Sequence, residues 1–350
     1  MRQPSKITFI YLLTLFTSTL NTSILLNPYV SASEIQNNYL KDGQEKSKSG
    51  DHIGAIKDFN AYINLYPLNE DGYLNRGLAK DALKDYEGAI TDYNKSLEIN
   101  PEKINSFRGI AYINRGSLKL RLNKYNDAIS DFDKIIELYP DKFKIDAYRK
   151  RGYAKYELNK CKEAILDFDQ VIKIYPQDYS SYNIRGICKN SLKDYSGAID
   201  DYNLALKIKP NKYIETINVI SSLYYNRGLK KNKSKDFNGA IEDFSKSIKI
   251  NPENSNSYNQ RGISYLQKKD WENACLDWHT ALHMGNIETK LLFEEYRKNG
   301  IKNCDNNKFK KKVNIIRSNA YITSGIMKGK YNNHKEAIYD FNKAIKIKPK

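Results

Sequence analysis

The sequence is poor in the residues that most often carry chemistry. Its 350 residues include only four histidines, four cysteines, three methionines and two tryptophans. Four scattered cysteines are too few for a disulfide-built scaffold, although they could pair in an exported protein, with a connectivity that spacing does not give. There is no glycine-rich phosphate loop, no Ser/His/Asp order and no paired-cysteine motif. We therefore predict a protein that is not an enzyme and has no cofactor.

Long apolar runs are lacking as well, with one exception at the N-terminus. Arg2 and Lys6 precede the stretch ITFIYLLTLF, and a Val-Ser-Ala tripeptide ends at Ala32. A basic start, a short apolar run and small residues at the end are typical of a signal peptide. We predict that residues 1–32 are removed and that the protein is exported to a periplasm, a lumen or the medium. The alternative is an uncleaved segment that tethers the protein to a membrane.

Acidic residues are outnumbered by basic ones, 41 to 58, which gives a net charge of +17. Lysine, asparagine, isoleucine and tyrosine all have A/T-rich codons, so base composition explains much of this excess. Charge of this size still favours association with acidic partners. Binding of acidic polymers or of an anionic membrane surface through lysine-rich faces is therefore our alternative function, and export argues against nucleic acid as the partner.

A glycine recurs eight times with the same neighbours at the same distances. A tyrosine lies four residues before it, an alanine twelve residues after it, and an aromatic residue four positions after the alanine. In seven of the eight copies a proline follows the alanine after another twelve residues. The glycines are Gly43, Gly77, Gly116, Gly152, Gly186, Gly228, Gly262 and Gly325. The apolar spacing of three and four residues on both sides of each turn predicts two helices per copy.

This pattern resembles the tetratricopeptide repeat, a 34-residue helical hairpin, with tyrosine in place of the usual tryptophan and arginine usually in place of the leucine before glycine. The resemblance implies an all-α fold, a right-handed superhelical solenoid of antiparallel helix pairs. It also explains the glycine, because helices that cross closely need small side chains there. We expect Gly77 and Ala89 to meet at such a crossing, with the aromatic residues filling the wider gaps on either side.

The spacing of the copies sets the domain boundaries. We predict seven stacked hairpins over residues 33–288, with the first helix of the sixth hairpin extended by about two turns through residues 213–222. An insertion at 289–317 should form a helix and then a basic loop, and an eighth hairpin should span 318–350. The seven hairpins are predicted at about 36–69, 70–103, 109–142, 145–178, 179–212, 221–254 and 255–288.

Charged residues recur with the repeat. An aspartate lies three residues after every alanine, and an arginine precedes the glycine in six copies. We hypothesise that each arginine pairs with the aspartate of the preceding repeat, as in Arg185 with Asp167. The rival is a pair within one hairpin, as in Arg76 with Asp92. In either case these are structural charges, because a guanidinium suits a two-pronged, partly buried contact.

The resemblance further implies that the first helix of each hairpin lines a concave groove. Positions three before, one after and four after each glycine should then face a ligand. These positions hold Leu74, Leu78, Ile113, Ser117, Arg149, Tyr153, Tyr156, Asn183, Ile187, Asn190, Tyr225, Leu229, Asn259 and Ile263. Some of them could instead face neighbouring helices and belong to the core.

Apolar anchors with amide donors suit an extended peptide or a partner protein. We therefore predict a non-catalytic protein–protein interaction scaffold, in a setting such as assembly of an envelope or lumenal complex. The family's clamp for chaperone C-terminal carboxylates is not expected, since Tyr153 stands where that clamp needs asparagine, and Arg149 and Asn183 are isolated.

Two smaller features complete the analysis. Cys275, His279 and His283 are spaced by four residues on one helix, which is a weak candidate for a metal site. No fourth ligand is evident and Cys275 occupies a core position of the repeat, so we predict no metal.

In the last copy, Ile338, Phe341 and Ile345 predict an apolar surface that docks a partner or a second copy of the chain.

Overall fold

The computed structural model describes residues 32–139, 141–298, 304 and 307–347. The predicted signal peptide, apart from Ala32, lies outside the described residues. Within them every regular element is helical: seventeen α-helices and one 3₁₀ turn at Pro210–Lys212, with no strand. The prediction of an all-α fold is confirmed.

Sixteen of the helices form eight consecutive pairs, and α15 stands alone in the insertion. The helices are α1 (Ala32–Lys48), α2 (His52–Leu65), α3 (Glu70–Ala82), α4 (Tyr86–Ile99), α5 (Ser106–Arg121), α6 (Tyr125–Leu138), α7 (Asp141–Glu157), α8 (Cys161–Ile174), α9 (Tyr179–Ser191), α10 (Tyr195–Ile208), α11 (Tyr213–Lys233), α12 (Phe237–Ile250), α13 (Ser255–Gln267), α14 (Trp271–His283), α15 (Ile287–Lys298), α16 (Asn307–Lys330) and α17 (His334–Ile347). With 21 residues, α11 carries the predicted extension.

The helices group into two compact units, one up to Lys103 and the other from Ile104. The first unit contains the pairs α1–α2 and α3–α4. The second contains α5 to α17. Within each unit, the two helices of every pair pack against one another and, from pair to pair, against the next hairpin along the chain.

One turn geometry joins the two helices of every hairpin. The residue seven positions after the repeat glycine has a positive φ in all eight copies. In most copies the next residue is an aspartate that caps the second helix, as Asp85 does by accepting a hydrogen bond from the backbone N–H of Gly88 at 3.0 Å. The turn residues are Gly50, Lys84, Asn123, Asn159, Lys193, Lys235, Lys269 and Asn332.

The aromatic residue of each copy lies directly on the repeat glycine. A Cβ atom added to Gly77 would lie 2.8 Å from Tyr93 Cε1, and one added to Gly228 would lie 2.7 Å from Phe244 Cε1. The expectation that the aromatic residues fill wider gaps beside the crossing is therefore wrong. A flat ring needs the space that a missing side chain leaves, so glycine is required by the ring as well as by the paired helix.

The arginine before the glycine pairs within its own hairpin. Arg185 donates through Nε and Nη2 to both carboxylate oxygens of Asp201, at 2.9 and 2.5 Å. The hypothesis of a pair with Asp167 is wrong, and the rival, seen also in Arg76 with Asp92, is correct. The reason is position: arginine and aspartate flank the glycine crossing on facing helices. Only the third nitrogen, Nη1 of Arg185, reaches the preceding hairpin, at Asp169.

In five of the six hairpins with such an arginine, a lysine that we did not single out from the sequence completes the ion pair. It lies four residues after the arginine, one helical turn away, and contacts the same aspartate. Lys231, for example, lies 2.9 Å from Asp243 Oδ2. The same contact is made by Lys80, Lys119, Lys155 and Lys189. In the first and last copies, where no arginine precedes the glycine, Lys46 and Lys328 contact the aspartate alone. These lysines neutralise buried carboxylates and are not available to a partner.

The insertion and the last hairpin depart from the predicted boundaries. The predicted helix is present as α15, but the segment expected to be a basic loop is helical from Asn307 onward. Val313, which is fully buried, and Ile316 lie on one face of α16 and pack it against the second unit's core, so helix is favoured there. α16 packs against α12 and α14. A disulfide joins Cys275 of α14 to Cys304, with their Cα atoms 5.5 Å apart.

Candidate functional site

Two of the predicted groove residues are not accessible. Leu74 is 2% exposed and Asn259 is 1% exposed. Both occupy the position three residues before the glycine, which lies close to one helical turn away and so on the side that faces other helices. For these two residues the expectation of a ligand-facing side chain is wrong, and they belong to the core.

Other predicted residues are partly engaged by the protein itself. Arg149 forms ion pairs with Asp146 and Asp178, and Ser117 accepts a hydrogen bond from Lys150 at 2.7 Å. The remaining partly buried members are Ile113, Tyr156, Asn183, Ile187, Asn190 and Tyr225. Their side chains are shared between the core and the surface.

Tyr153 is the most exposed aromatic residue of the predicted set. Its ring lies 6.2 Å from that of Tyr156, measured between centroids, and 39% of the residue is exposed. A hydrogen bond to Glu157, together with burial, raises the pKa of Tyr153 to about 12. Leu78, at 36% exposure, is the accessible member in the first unit.

The second unit contains a cavity of about 830 Å³ beside α11 and α13. Two predicted residues, Leu229 and Ile263, line it together, and both lie one position after their repeat glycine. The turns before α10 and α12 close one side. The full lining is Lys193, Tyr195, Asn226, Leu229, Lys230, Asn232, Lys233, Lys235, Phe237, Gln260, Ile263 and Gln267.

The lining combines apolar surface with amide groups. Leu229 and Ile263 provide aliphatic surface, and Tyr195 and Phe237 add two aromatic rings from the starts of α10 and α12. Asn226, Asn232, Gln260 and Gln267 carry amides that both donate and accept hydrogen bonds. Asn232 is held in place because Ser264 Oγ donates to its Oδ1 at 2.8 Å.

Four lysines surround this cavity, and none of them was among the residues predicted from the sequence. Lys230 and Lys233 belong to α11, while Lys193 and Lys235 are turn residues. All four are exposed, and among the described residues none of them forms an ion pair. Three of them, all except Lys193, could have been found from the run LKKNKSK at 229–235, in which only Lys231 has the structural spacing from an arginine.

The charges beneath the cavity are fixed by the fold. Burial raises the pKa of Asp243, but hydrogen bonds from Arg227 and Lys231 outweigh it and hold that pKa below its ordinary value. In the next hairpin, burial raises the pKa of Asp277, which faces Arg261 but has a tyrosine, Tyr265, where other copies have the lysine. Both carboxylates are paired with basic side chains of the protein. The charged groups accessible to a ligand are therefore the lysines around the cavity.

The weak metal candidate does not assemble a metal site. The sulfur of Cys275 is bonded to Cys304 and cannot act as a thiolate ligand. His279 Nε2 lies 2.5 Å from the carbonyl oxygen of Cys304, and its ring contacts Phe293 edge-on. In the described part of the chain, no three His, Cys, Asp or Glu side chains are grouped as metal ligands.

Across the described ranges, α1 to α17 include no helix with enough length and apolar character to span a bilayer.

Comparison with known proteins places the repeats in a family. Models described as tetratricopeptide repeat match residues 70–103, 110–142, 149–213 and 221–254. No curated protein matches the chain.

Among solved structures, the chain is similar to a MamA protein (22% identity, TM-score 0.46, covering 52% of this chain and 96% of that one). It is also similar to a tetratricopeptide repeat protein from Parabacteroides merdae (21%, 0.47, 75% and 98%). A third similar structure is YrrB, described as a TPR protein with an unusual peptide-binding site (18%, 0.42, 60% and 97%). The matched repeats, the helix pairs and the glycine crossings agree, and the chain is a tetratricopeptide repeat protein.

Proposed function

We propose that this protein is an exported, non-catalytic interaction scaffold that binds a peptide or an extended segment of a partner protein. The observation that carries the proposal is the cavity beside α11 and α13, where apolar side chains and amides lie together. A concave site with an apolar lining and a few polar groups is the usual form of a ligand pocket. Assembly of an envelope or lumenal complex would be a fitting setting.

The composition of the cavity supports a peptide as the ligand. A bound peptide buries apolar side chains and must also form hydrogen bonds through its backbone N–H and C=O groups. Leu229 and Ile263 offer apolar contact, and Asn226 and Gln260, three residues earlier on the same two helices, offer hydrogen bonds. The lining contains no carboxylate, histidine, serine or cysteine side chain, the groups that most often carry acid–base or nucleophilic chemistry.

The disulfide supports export. Bonds such as Cys275–Cys304 persist in oxidising compartments and are rare in the cytosol. An exported mature chain that begins after residue 32 would form this bond during folding outside the cytoplasm. Sequencing of the N-terminus of the protein purified from its host tests this proposal, and a retained Met1 would contradict cleavage.

The binding proposal is tested by crosslinking capture in the native host with residues 33–350. The double variant Leu229→Ala/Ile263→Ala should lose a discrete partner that the unmodified protein captures. Leu78→Ala is the matched control, because Leu78 occupies the same repeat position in the first unit and does not line the cavity. Equal capture by all three proteins would overturn the proposed site.

A second candidate function, binding of acidic polymers or an anionic membrane surface, is favoured by the four lysines without ion pairs. Capture of mixed acidic material that disappears at high salt and is unaffected by Leu229→Ala/Ile263→Ala would establish it in place of the peptide site.

A further inference from the structure

The positions of the lysines around the cavity narrow the kind of ligand. Lys193 and Lys235 occupy equivalent turns of successive hairpins, and Lys230 and Lys233 lie on α11 between those turns. All four therefore approach the cavity from one edge, while Ile263 and Gln260 close the other side from α13. The cavity has a positive edge and an apolar interior.

Among the described residues, no carboxylate neutralises this edge. The lining contains four lysines and no acidic residue. The nearest aspartates, Asp194 and Asp236, follow the two turn lysines and are committed to capping α10 and α12, where they accept the backbone N–H groups of Gly197 and Gly239 at 3.0 and 2.9 Å. By contrast, Lys189 of α9 and Lys231 of α11 are bound to buried aspartates.

The turn lysines also have an unfavourable backbone. Lys193 and Lys235 have φ values of 62° and 64°, in the left-handed region that asparagine and glycine tolerate better than lysine. Asn123 and Asn159 hold the same turn in other hairpins with φ of 57° and 58°. Lysine is thus not required by the turn, and at these two sites a lysine lines the cavity.

We propose that the cavity selects an acidic peptide segment that carries an apolar side chain. The apolar side chain packs on Leu229 and Ile263, and flanking carboxylates meet the ammonium groups of Lys193, Lys230, Lys233 and Lys235. This inference rests on the proposed function and adds the chemistry of the partner. A bare inorganic anion would leave the apolar interior unused, and an uncharged peptide would leave four positive charges without partners.

The test uses residues 33–350 and fluorescence anisotropy with three labelled peptides. The first has one phenylalanine flanked on each side by glutamates, the second has glutamine in place of every glutamate, and the third has serine in place of the phenylalanine. The protein variants are Lys193→Asn/Lys235→Asn and the matched control Lys84→Asn, which changes the same turn position in the first unit. Asparagine fits this backbone, so both variants should fold at least as well as the unmodified protein.

We expect the acidic phenylalanine peptide to bind best and to lose about five- to twentyfold in affinity with Lys193→Asn/Lys235→Asn, while Lys84→Asn leaves its affinity unchanged. If the glutamine peptide binds equally well and the lysine variant has no effect, the inference is overturned but the peptide site stands. Equal binding of the serine peptide overturns it in favour of a charge-only anion surface. If no peptide binds to any protein, the proposed site itself fails.

Discussion

At the scale of single residues, the repeat is held by a small set of contacts at each helix crossing. An aromatic ring covers a glycine, and beside it an aspartate is bound by an arginine and a lysine from one face of the facing helix. The repeating glycine, alanine and aromatic positions could be predicted from the sequence. The lysine could not be singled out so easily, because lysine is abundant throughout the chain and only the facing aspartate distinguishes the structural copies.

The ion-pair cluster around Asp243 should make stability depend on pH. Its folded-state pKa lies below the unfolded value of about 3.8, so its stabilising contribution is present above that value and is lost as pH falls through the folded pKa. Lys231→Met should cost about 1–3 kcal/mol at pH 7, and the difference from the unmodified protein should shrink as the pH falls below about 4. Urea unfolding at several pH values measures this.

The control for that experiment is Lys249→Met, which removes an exposed lysine from α12 and should change stability by less than about 0.5 kcal/mol. A Lys231→Met penalty that is as large at pH 3 as at pH 7 would show that the lysine acts through packing and not through Asp243.

The glycine crossing gives a second prediction at this scale. A Cβ atom on Gly152 would lie 3.1 Å from both Asp167 Cβ and Phe168 Cζ, so Gly152→Leu should overpack the pair α7–α8 and cost about 1–3 kcal/mol. Thermal unfolding measures the loss. The control is Gly329→Ala, where nothing lies within 4 Å of the added atom; it should be neutral or stabilise α16 by up to about 1 kcal/mol. Unchanged stability of Gly152→Leu would refute the role given to the ring.

At the scale of elements, the insertion decides where the last hairpin lies. Glu253, in the loop between α12 and α13, accepts hydrogen bonds from Tyr321 and Tyr339 at 3.0 and 3.3 Å, and Ser324 Oγ donates to the carbonyl of Ile250 at 3.3 Å. Because these contacts join residues about 70 to 90 positions apart, repeat spacing gave no indication of them. The prediction of a basic loop was wrong for the same reason, because the burial of Val313 depends on helices α12 to α14, which are distant in sequence.

The packing of the last hairpin against the loop between α12 and α13 should depend on Glu253. Glu253→Gln removes the charge that both tyrosines and Lys343 face, and we expect faster amide hydrogen exchange in α16 and α17, by about three- to tenfold. Exchange in α3 and α4, which belong to the first unit, is the internal control and should not change. Faster exchange throughout the second unit would mean that Glu253 stabilises the unit as a whole and not the last hairpin in particular.

At the scale of the whole molecule, the lysines that contribute to the net charge of +17 include two distinct populations. Lysines of the repeat pattern neutralise buried aspartates, whereas those around the cavity face solvent. Salt screens exposed charges far more than buried ones. The two populations should therefore respond differently to ionic strength.

Raising the salt concentration from about 0.05 M to about 1 M should weaken binding of an acidic peptide by at least tenfold while shifting the Tm by no more than a few degrees. Anisotropy and thermal unfolding on the same samples measure both. A large fall in Tm with salt would mean that the buried ion pairs are more accessible to solvent than their geometry indicates.

The sequence by itself determined the helical repeat, the residues at each crossing, the extended α11 and the two cavity residues Leu229 and Ile263. These follow from local periodicity, because spacing along a helix fixes which side chains share a face. Only the tertiary structure decided that Arg185 pairs with Asp201, that Leu74 and Asn259 are buried, and that Lys193 and Lys235 meet Lys230 and Lys233 at one edge. These features depend on which helices become neighbours. The energy of such a contact is set by the residue on the facing helix and not by the residues that are adjacent in sequence.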